Sequence, residues 1–248
     1  MDITLNIKIN SDTKLLFVSD IHEHSDQFNT IINKFKISDK LKLVVCGDVL
    51  DKGYGINEGL AILHKIKDLS DQGNAFFIKG NHELKNIKKY RKNGNMPPIL
   101  HWVEQQPLSL SFVYPNSSRY TAIHAGVEPK MTWKDLTHNL NLCYIRNLSN
   151  ETKEKVMLKK QEIDGKTSYV SSDKNVSVWH KFYDGRFGYI VSGHDNNPKG
   201  PMFYNYSCNI DTGVFTSGKL TSVLFGQNGR EDVYQAIGRA YNNEQSTT

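Results

Sequence analysis

The stretch VVCGDVLDKG, residues 44–53, runs apolar and then stops in Gly-Asp, with a second Asp three residues later and a Lys after it. Val44, Val45 and Cys46 read as the end of a buried strand, and the two carboxylates stand where that strand gives way to a loop. Other apolar runs end in the same manner. KLLFVSD (14–20) and NAFFIKG (74–80) predict strands on either side of LKLVVCGD (41–48). Between them, DQFNTIINKFKI (26–37) places Phe28, Ile31, Ile32 and Phe35 at helical spacing, and INEGLAILHKIKDL (56–69) does so with Ile56, Leu60, Leu63 and Ile66. HELKNIKKYRK (82–92) predicts a third helix after the third strand. Apolar strands alternating with amphipathic helices are the signature of βαβ units and an α/β fold, with a sheet covered on both faces.

The second half differs. SLSFVYP (109–115), YTAIHAG (120–126), FGYIVSGH (187–194), SCNIDTG (207–213) and KLTSVLF (219–225) predict strands with short or irregular links, hence a meander or second sheet. Residues 146–178 are polar and pattern-poor and read as an excursion or lid. EDVYQAIGRAY (231–241) predicts a short amphipathic helix, followed by a frayed tail after about residue 242. With no repeat, linker or break in composition, the 248 residues read as a single domain over 1–248.

Composition is that of an ordinary globular protein, 38% hydrophobic and 23% charged. No apolar run reaches the ~18 residues of a membrane span. The N-terminal MDITLNIKIN alternates like a strand and lacks the basic start and apolar core of a secretory signal. Cys46, Cys143 and Cys208 are widely spaced in apolar surroundings, as reduced core residues of a cytoplasmic protein would be. The net charge of +5 is concentrated in KGNHELKNIKKYRKN (79–93) and TKEKVMLKK (152–160), which fits attraction of an anionic substrate but is too modest to indicate nucleic-acid binding by itself.

Ligand-type residues gather at strand ends. The first strand delivers Asp20 and His22, which point the same way in an extended segment. The second delivers Asp48, with Asp51 beyond it. The third delivers Asn81 and His82, and the later strands deliver His124 and His194. One Asp or His at a strand end is usually a cap; five strand ends with compatible donors are not. Carboxylate, imidazole and amide oxygen without thiolate suit manganese, iron or zinc. Six or seven such donors with a shareable carboxylate suit two ions about 3.5–4 Å apart, with Asp48 the natural bridge.

SDIHEH (19–24), GDVLDKG (47–53), GNHE (80–83), IHAG (123–126) and SGH (192–194) occur in the order of the calcineurin-like metallophosphoesterases, and together with NIDTGVFTSGKLTSVL (209–224) they resemble the phosphoprotein phosphatase family. That family's blocks read GDxHG, GDxxDRG and GNHE, and its bacterial and phage branch includes lambda-type protein phosphatases and symmetrical diadenosine tetraphosphatases. The resemblance spans about Asp20 to Leu224. It implies two mixed β-sheets packed face to face and flanked by helices. It also implies a two-metal phosphoester hydrolase, manganese ahead of iron or zinc, in which metal-bound hydroxide attacks phosphorus. Asp20 and His22 would hold one ion, Asp48 would bridge, and Asn81, His124 and His194 would hold the second. His82 would be the general acid, oriented and kept charged by Asp51. Arg146 sits where this branch places a phosphate-binding Arg, with Arg186 a rival for the role. The expected partner is a phosphorylated substrate, phosphoprotein or nucleotide, with no membrane and nucleic acid only as a substrate 5′ end.

Three positions depart from the pattern. Glu23 replaces a glycine and would bring an acid to the metal entrance, while Lys52 and Lys79 replace arginines in the phosphate-binding set. Lysine keeps the charge but loses the planar two-pronged grip. A Ser/Thr protein phosphatase-like phosphomonoesterase is the first expectation, and a dinucleoside polyphosphate or RNA 5′-end pyrophosphohydrolase the second. Trp179, Phe182 and Tyr183 are available to stack a base in the latter. A nuclease is disfavoured by Asn196 where a further histidine would stand, and an inactive scaffold by the complete ligand set.

Overall fold

The computed structural model describes residues 6–156, 158–163, 166–171 and 174–241. Its first half alternates as expected through β1 (Asn6–Lys8), β2 (Lys14–Val18), α1 (Ser25–Phe35), β3 (Leu41–Val45), α2 (Ile56–Asp71), β4 (Ala75–Phe77), α3 (Asn81–Asn93) and α4 (Pro98–Gln105). Next come β5 (Ser109–Val113), β6 (Arg119–Ile123), α5 (Asp135–His138), β7 (Asn147–Ser149), β8 (Leu158–Ile163), β9 (Lys166–Ser171) and β10 (Val176–Val178). The chain then runs through β11 (Tyr189–Ser192), β12 (Met202–Phe203), β13 (Ser207–Asn209), α6 (Val214–Ser217), β14 (Lys219–Gly226) and β15 (Gly229–Ile237).

Two mixed sheets result, in the orders β15-β14-β2-β3-β4 and β1-β5-β6-β11-β13-β12. The strands that carry the predicted ligands are parallel within each sheet: β2, β3 and β4 in the first, β6 and β11 in the second. Alternation along β2 sends Leu15 and Phe17 to one face and Leu16 and Val18 to the other. Leu15 and Phe17 meet Val44, Phe112, Val191 and Phe225 between the sheets. Leu16 and Val18 lie in the cluster that α1 and α2 close with Phe28, Ile31, Leu63 and Ile66. A third cluster, including Ile123, Leu136, Trp179 and Phe187, covers the outer face of the second sheet. Each such side chain contributes roughly 1.5–3 kcal/mol by leaving water. This is the pair of sheets packed face to face and flanked by helices that the sequence led us to expect.

The C-terminal helix is not there. Residues 229–237 form β15, paired antiparallel to β14 from Gly226↔Gly229 to Lys219↔Ile237. Val233, Ala236 and Ile237 have helical spacing, but the two-residue turn at Gln227-Asn228 hands the chain straight back along β14, and the ladder overrides the local pattern. Only Ala236 of the three is buried; Ile237 is 77% exposed. The predicted frayed tail after about residue 242 lies outside the described residues. Residues 146–178 hold more order than their composition suggested: β7 pairs with β10, and β8 with β9. Cys46, Cys143 and Cys208 are free and buried. Among the described residues, no helix is long and apolar enough to cross a membrane.

One buried base has a consequence for stability. His180 is stacked between Trp179 and Tyr204, at ring separations of 3.9 and 4.2 Å, with Nδ1 2.8 Å from Ser207 Oγ. Burial pulls its pKa down to about 3. The unfolded chain takes up this proton near pH 6.5 while the folded chain refuses it, so stability falls as pH drops from about 6.5 towards 3, by at most about 1.4 kcal/mol per pH unit. We expect Tm between pH 6.5 and 5 to fall more steeply for the wild type than for His180→Gln. Parallel curves would remove His180 from the account of acid sensitivity.

Candidate metal centre and active site

All five predicted ligand-bearing strands deliver their C-terminal ends to one place. The loops after β2 and β3 are zipped together by backbone hydrogen bonds: Asp20 N–H to Gly47 O at 3.1 Å, His22 N–H to Asp48 O at 3.0 Å, and Glu23 N–H to Val49 O at 2.8 Å. Gly193 N–H donates to His124 O at 2.9 Å and ties the β11 loop to the end of β6. The backbone here is strained. Asp20, His22, Glu23, Asp48, Asp51, Lys52 and His194 all adopt left-handed φ values between 46° and 71°, a region that side chains bearing a Cβ disfavour. Gly80 is required for a different reason: a Cβ there would overlap Asp48 Oδ1.

Two buried glutamates hold these loops. Glu83, at the third position of α3, accepts from Gly80 N at 2.8 Å, Asp48 N at 2.7 Å, Val49 N at 2.8 Å and Leu50 N at 3.3 Å. Glu23 accepts from Asp51 N at 2.9 Å and from Gly53 N and Gly55 N at 3.2 Å each. Buried amides in irregular loops have no ladder to pair with, so a carboxylate that takes several at once meets their need. Glu23 therefore does not stand at the metal entrance, as its place in the motif suggested, but braces the loop behind it. Reading the sequence missed the part played by both residues. Glu83 was findable as the N3 acid of a helix capping box; Glu23 carried no local signal.

Asp48 is the hub. One ligand atom each from His22, Asp48 and His82 falls within 4.8 Å of the others, and the same holds for Asp48, His124 and His194. Asp48 Oδ2 lies 3.4 Å from His124 Nε2 and 3.9 Å from His22 Nε2 and His82 Nε2. Asp20 joins through an oxygen 3.9 Å from His22 Nε2, while its other oxygen accepts from Ser19 Oγ at 2.5 Å and His194 N at 2.9 Å. Asn81 joins through Oδ1, 3.0 Å from His124 Nε2. The imidazoles are oriented from behind. His124 Nδ1–H donates to Cys46 O at 2.8 Å, and His22 Nδ1–H is shared between Leu50 O at 3.2 Å and Asp51 O at 3.0 Å. Their Nε2 lone pairs consequently face the carboxylates.

That arrangement wants a cation. Around His124, an imidazole nitrogen, an amide oxygen and a carboxylate oxygen converge, all acceptors in their neutral or ionised forms. Burial depresses the His124 pKa, but Asp48 and Asp20 outweigh it and push it up to about 10, so a proton occupies the gap. Burial alone would raise Asp48, yet His124, His82 and His22 hold it well below the usual carboxylate range. Burial brings His22 down to about 3, and burial with the neighbouring positive charges of His124 and Arg146 keeps His194 low, so both are neutral donors. A further carboxylate, Asp211, is buried with its pKa raised by burial and by Asp20. Imidazole nitrogens, an amide oxygen and carboxylate oxygens gathered around Asp48, with no thiolate among them, fit divalent ions of the manganese, iron and zinc type.

Beside the hub, His82 Nδ1–H donates to Asp51 Oδ2 at 2.8 Å, and Lys85 Nζ donates to the same oxygen at 2.8 Å. Burial opposes ionisation of Asp51, but hydrogen bonds from His82, Lys85 and Asn86 prevail and hold its pKa low. The His82 N–H donates to Asp48 Oδ1 at 3.0 Å, so the acid–base pair and the hub are built as one piece.

The predicted cations divide. Arg146, immediately before β7, lies close enough for its charge to act on His194 and Asp195. Lys52 acts on His22 and His194, its Nζ lying 4.8 Å from the centre of the Phe215 ring. Lys79 Nζ instead donates to Glu104 O at 2.8 Å. Arg186 does not join the cluster: it grips Asp184 through Nε and Nη2, and Nη1 donates to Pro129 O. The short Asp184-Gly185-Arg186 turn makes that pairing local, which its sequence position concealed. Trp179 is 2% exposed and belongs to the core with Tyr183 and Phe182 packed on it, so these rings offer no open platform for a base.

Among solved structures, a candidate diadenosine tetraphosphatase is similar over 94% of this chain and 98% of its own, with a TM-score of 0.69 and 18% identity. A Saccharomyces cerevisiae serine/threonine phosphatase similar to human PP5 matches over 96% of this chain and 85% of its own (TM-score 0.59, 15% identity). A cold-active protein-tyrosine phosphatase from a psychrophilic Shewanella species matches over 92% and 82% (TM-score 0.53, 16% identity). No curated protein sequence matches the chain. The sequence profile of the Calcineurin-like phosphoesterases matches residues 13–198, which contain all five ligand-bearing strand ends described above. With three quarters of its length covered by that profile, from before Asp20 to beyond His194, the chain belongs to the calcineurin-like phosphoesterase family and is a metal-dependent phosphoester hydrolase.

Proposed function

We propose that the chain is a single-domain, two-metal phosphomonoesterase of the serine/threonine protein phosphatase type, working with manganese in the cytoplasm. The observation that carries this reading is the position of Asp48 as the common member of two ligand clusters, His22 with His82 and His124 with His194. Asp20 and His22 would hold one ion, Asn81, His124 and His194 the other, and Asp48 both. The two ions, when bound, would supply the positive charge that activates water and offsets the phosphoryl oxygens.

The chain's own residues do the rest. His82 donates its proton to the leaving oxygen, and Asp51, kept ionised by its hydrogen bonds, orients the ring. Arg146 and Lys52 hold the non-reacting phosphoryl oxygens, Arg146 through paired donors and Lys52 as a point charge. Arg146→Ala is expected to raise KM for p-nitrophenyl phosphate by a factor of about 10–100, the worth of a hydrogen bond to a charged group, with a smaller fall in kcat. Arg146→Lys should recover part of the loss. An unchanged KM in both variants would take Arg146 out of the site.

A second reading, cleavage of a dinucleoside polyphosphate or an RNA 5′ end, draws support from the similarity to the candidate diadenosine tetraphosphatase. It stands second because the aromatic side chains that would stack a base are packed in the core. A manganese-supported panel separates the two: a phosphoserine peptide, diadenosine tetraphosphate, a 5′-triphosphate RNA and a 2′,3′-cyclic nucleotide. The peptide is expected to give the highest kcat/KM, and a higher value for either nucleotide anhydride would reverse the order.

A further inference from the structure

A groove of about 950 Å³ runs along α3, away from the catalytic cluster. Its cations are Lys79, Lys85, Lys88, Arg91 and Lys92, against one acid, Glu104, which is paired with Arg91. Its apolar surface comes from Leu84 and Ile87 on α3 and from Leu140 and Tyr144 opposite. Leu140 and Tyr144 are 54% and 42% exposed, unusual for large apolar side chains. The groove starts at the active site, because Lys85 donates to the Asp51 carboxylate that holds His82. Residues 82, 85, 88–89 and 92 follow one face of the helix, so the lysines continue in line from His82. Among the described residues, neither Lys88 nor Lys92 has an acidic partner.

Resting on the reading of His82 as the acid that protonates the leaving oxygen, we propose that this groove receives the leaving group, and that the substrate is a phosphopeptide with acidic residues alternating with apolar ones beside the phosphorylated residue. From Lys85 to Lys92 is about 10 Å along the helix, the length of roughly three extended peptide residues. Lysines three to four positions apart are about 4.5–6 Å apart along the axis, and carboxylates on every second residue of an extended peptide are about 6.6 Å apart. Alternate side chains of such a peptide meet the lysines, and those between them meet the apolar wall. A nucleic-acid strand suits the groove less well. Grooves that follow single strands stack bases on successive aromatic rings, and here Tyr144 is joined by aliphatic Leu84, Ile87 and Leu140.

The test uses two phosphoserine peptides of equal length, one with alternating Glu and Leu and one with Gln in place of Glu, together with their dephosphorylated products. With the manganese-loaded protein, kcat/KM for the acidic peptide should exceed that for the neutral one by about tenfold at low salt, and the ratio should shrink as salt screens the charges. The Lys88→Glu/Lys92→Glu variant should bring the ratio to one or below. Fluorescence anisotropy should show the dephosphorylated acidic product binding more tightly than the neutral one, and the variant should lose that preference. Equal ratios for the two peptides, or a ratio the variant leaves unchanged, would overturn the proposal. So would a 5′-triphosphate RNA oligonucleotide turned over better than the acidic peptide. Failure to hydrolyse any substrate, p-nitrophenyl phosphate included, would sink the phosphatase reading, while selective product binding would still support the groove.

Discussion

Asp48→Asn protein is expected to fold and to lose hydrolysis of p-nitrophenyl phosphate by a factor on the order of 10³ or more. The side chain is nearly isosteric, and its amide oxygen can still accept from the His82 N–H, now 3.0 Å from Asp48 Oδ1. What disappears is the charge shared by both ligand clusters. Without it, the Nε2 atoms of His22, His82 and His124 lose the carboxylate oxygen 3.4–3.9 Å away. Bound manganese, counted after gel filtration, should drop from two ions per chain to one or none. Far-ultraviolet circular dichroism should be unchanged. Near-normal turnover with two ions retained would show that the carboxylate is not the bridge.

The second large effect is expected at a residue remote from substrate. Glu83→Gln keeps size and shape but replaces one acceptor oxygen with an NH₂ group. In the wild type both oxygens are engaged, by four backbone N–H groups from residues 48, 49, 50 and 80. In the variant, donors face donors in a fully buried pocket. Two buried N–H groups then lack an acceptor, at about 1–3 kcal/mol each. For a chain of this size that is a fall in Tm of about 10 °C, measurable on the metal-free protein. Because the same oxygens fix Asp48, manganese affinity should fall by a factor of about 10–100 as well. A variant with normal Tm and normal affinity would show that the clamp is dispensable.

Much of the fold was legible because burial leaves a strong mark. β2, β3 and β4 are apolar runs cut short by Gly or Asp, and α1 and α2 repeat their apolar residues every three or four positions. The residues brought together around Asp48 were legible for a related reason: parallel strands send their ends to one edge of a sheet, Asp20 and Asn81 from the first sheet and His124 and His194 from the second. Where topology decided against local pattern, the sequence misled. β15 has helical periodicity but lies beside β14. Arg186 lies in a basic, aromatic stretch but folds back on Asp184. Glu23 and Glu83 serve amides from segments distant in sequence, and periodicity carries no information about a buried carboxylate's partners.

The left-handed backbone at Asp20, His22, Glu23, Asp48, Asp51, Lys52 and His194 sets a limit on engineering this enzyme. Each such residue withholds about 1 kcal/mol or more from the folded state. Glycine at an exposed member of the set, Lys52 above all, would release that tension and raise heat tolerance while removing a charge that we propose faces phosphate. Durability and turnover are thus opposed at the same few torsion angles, and a hardier variant is better sought in α2 or at the free face of β15.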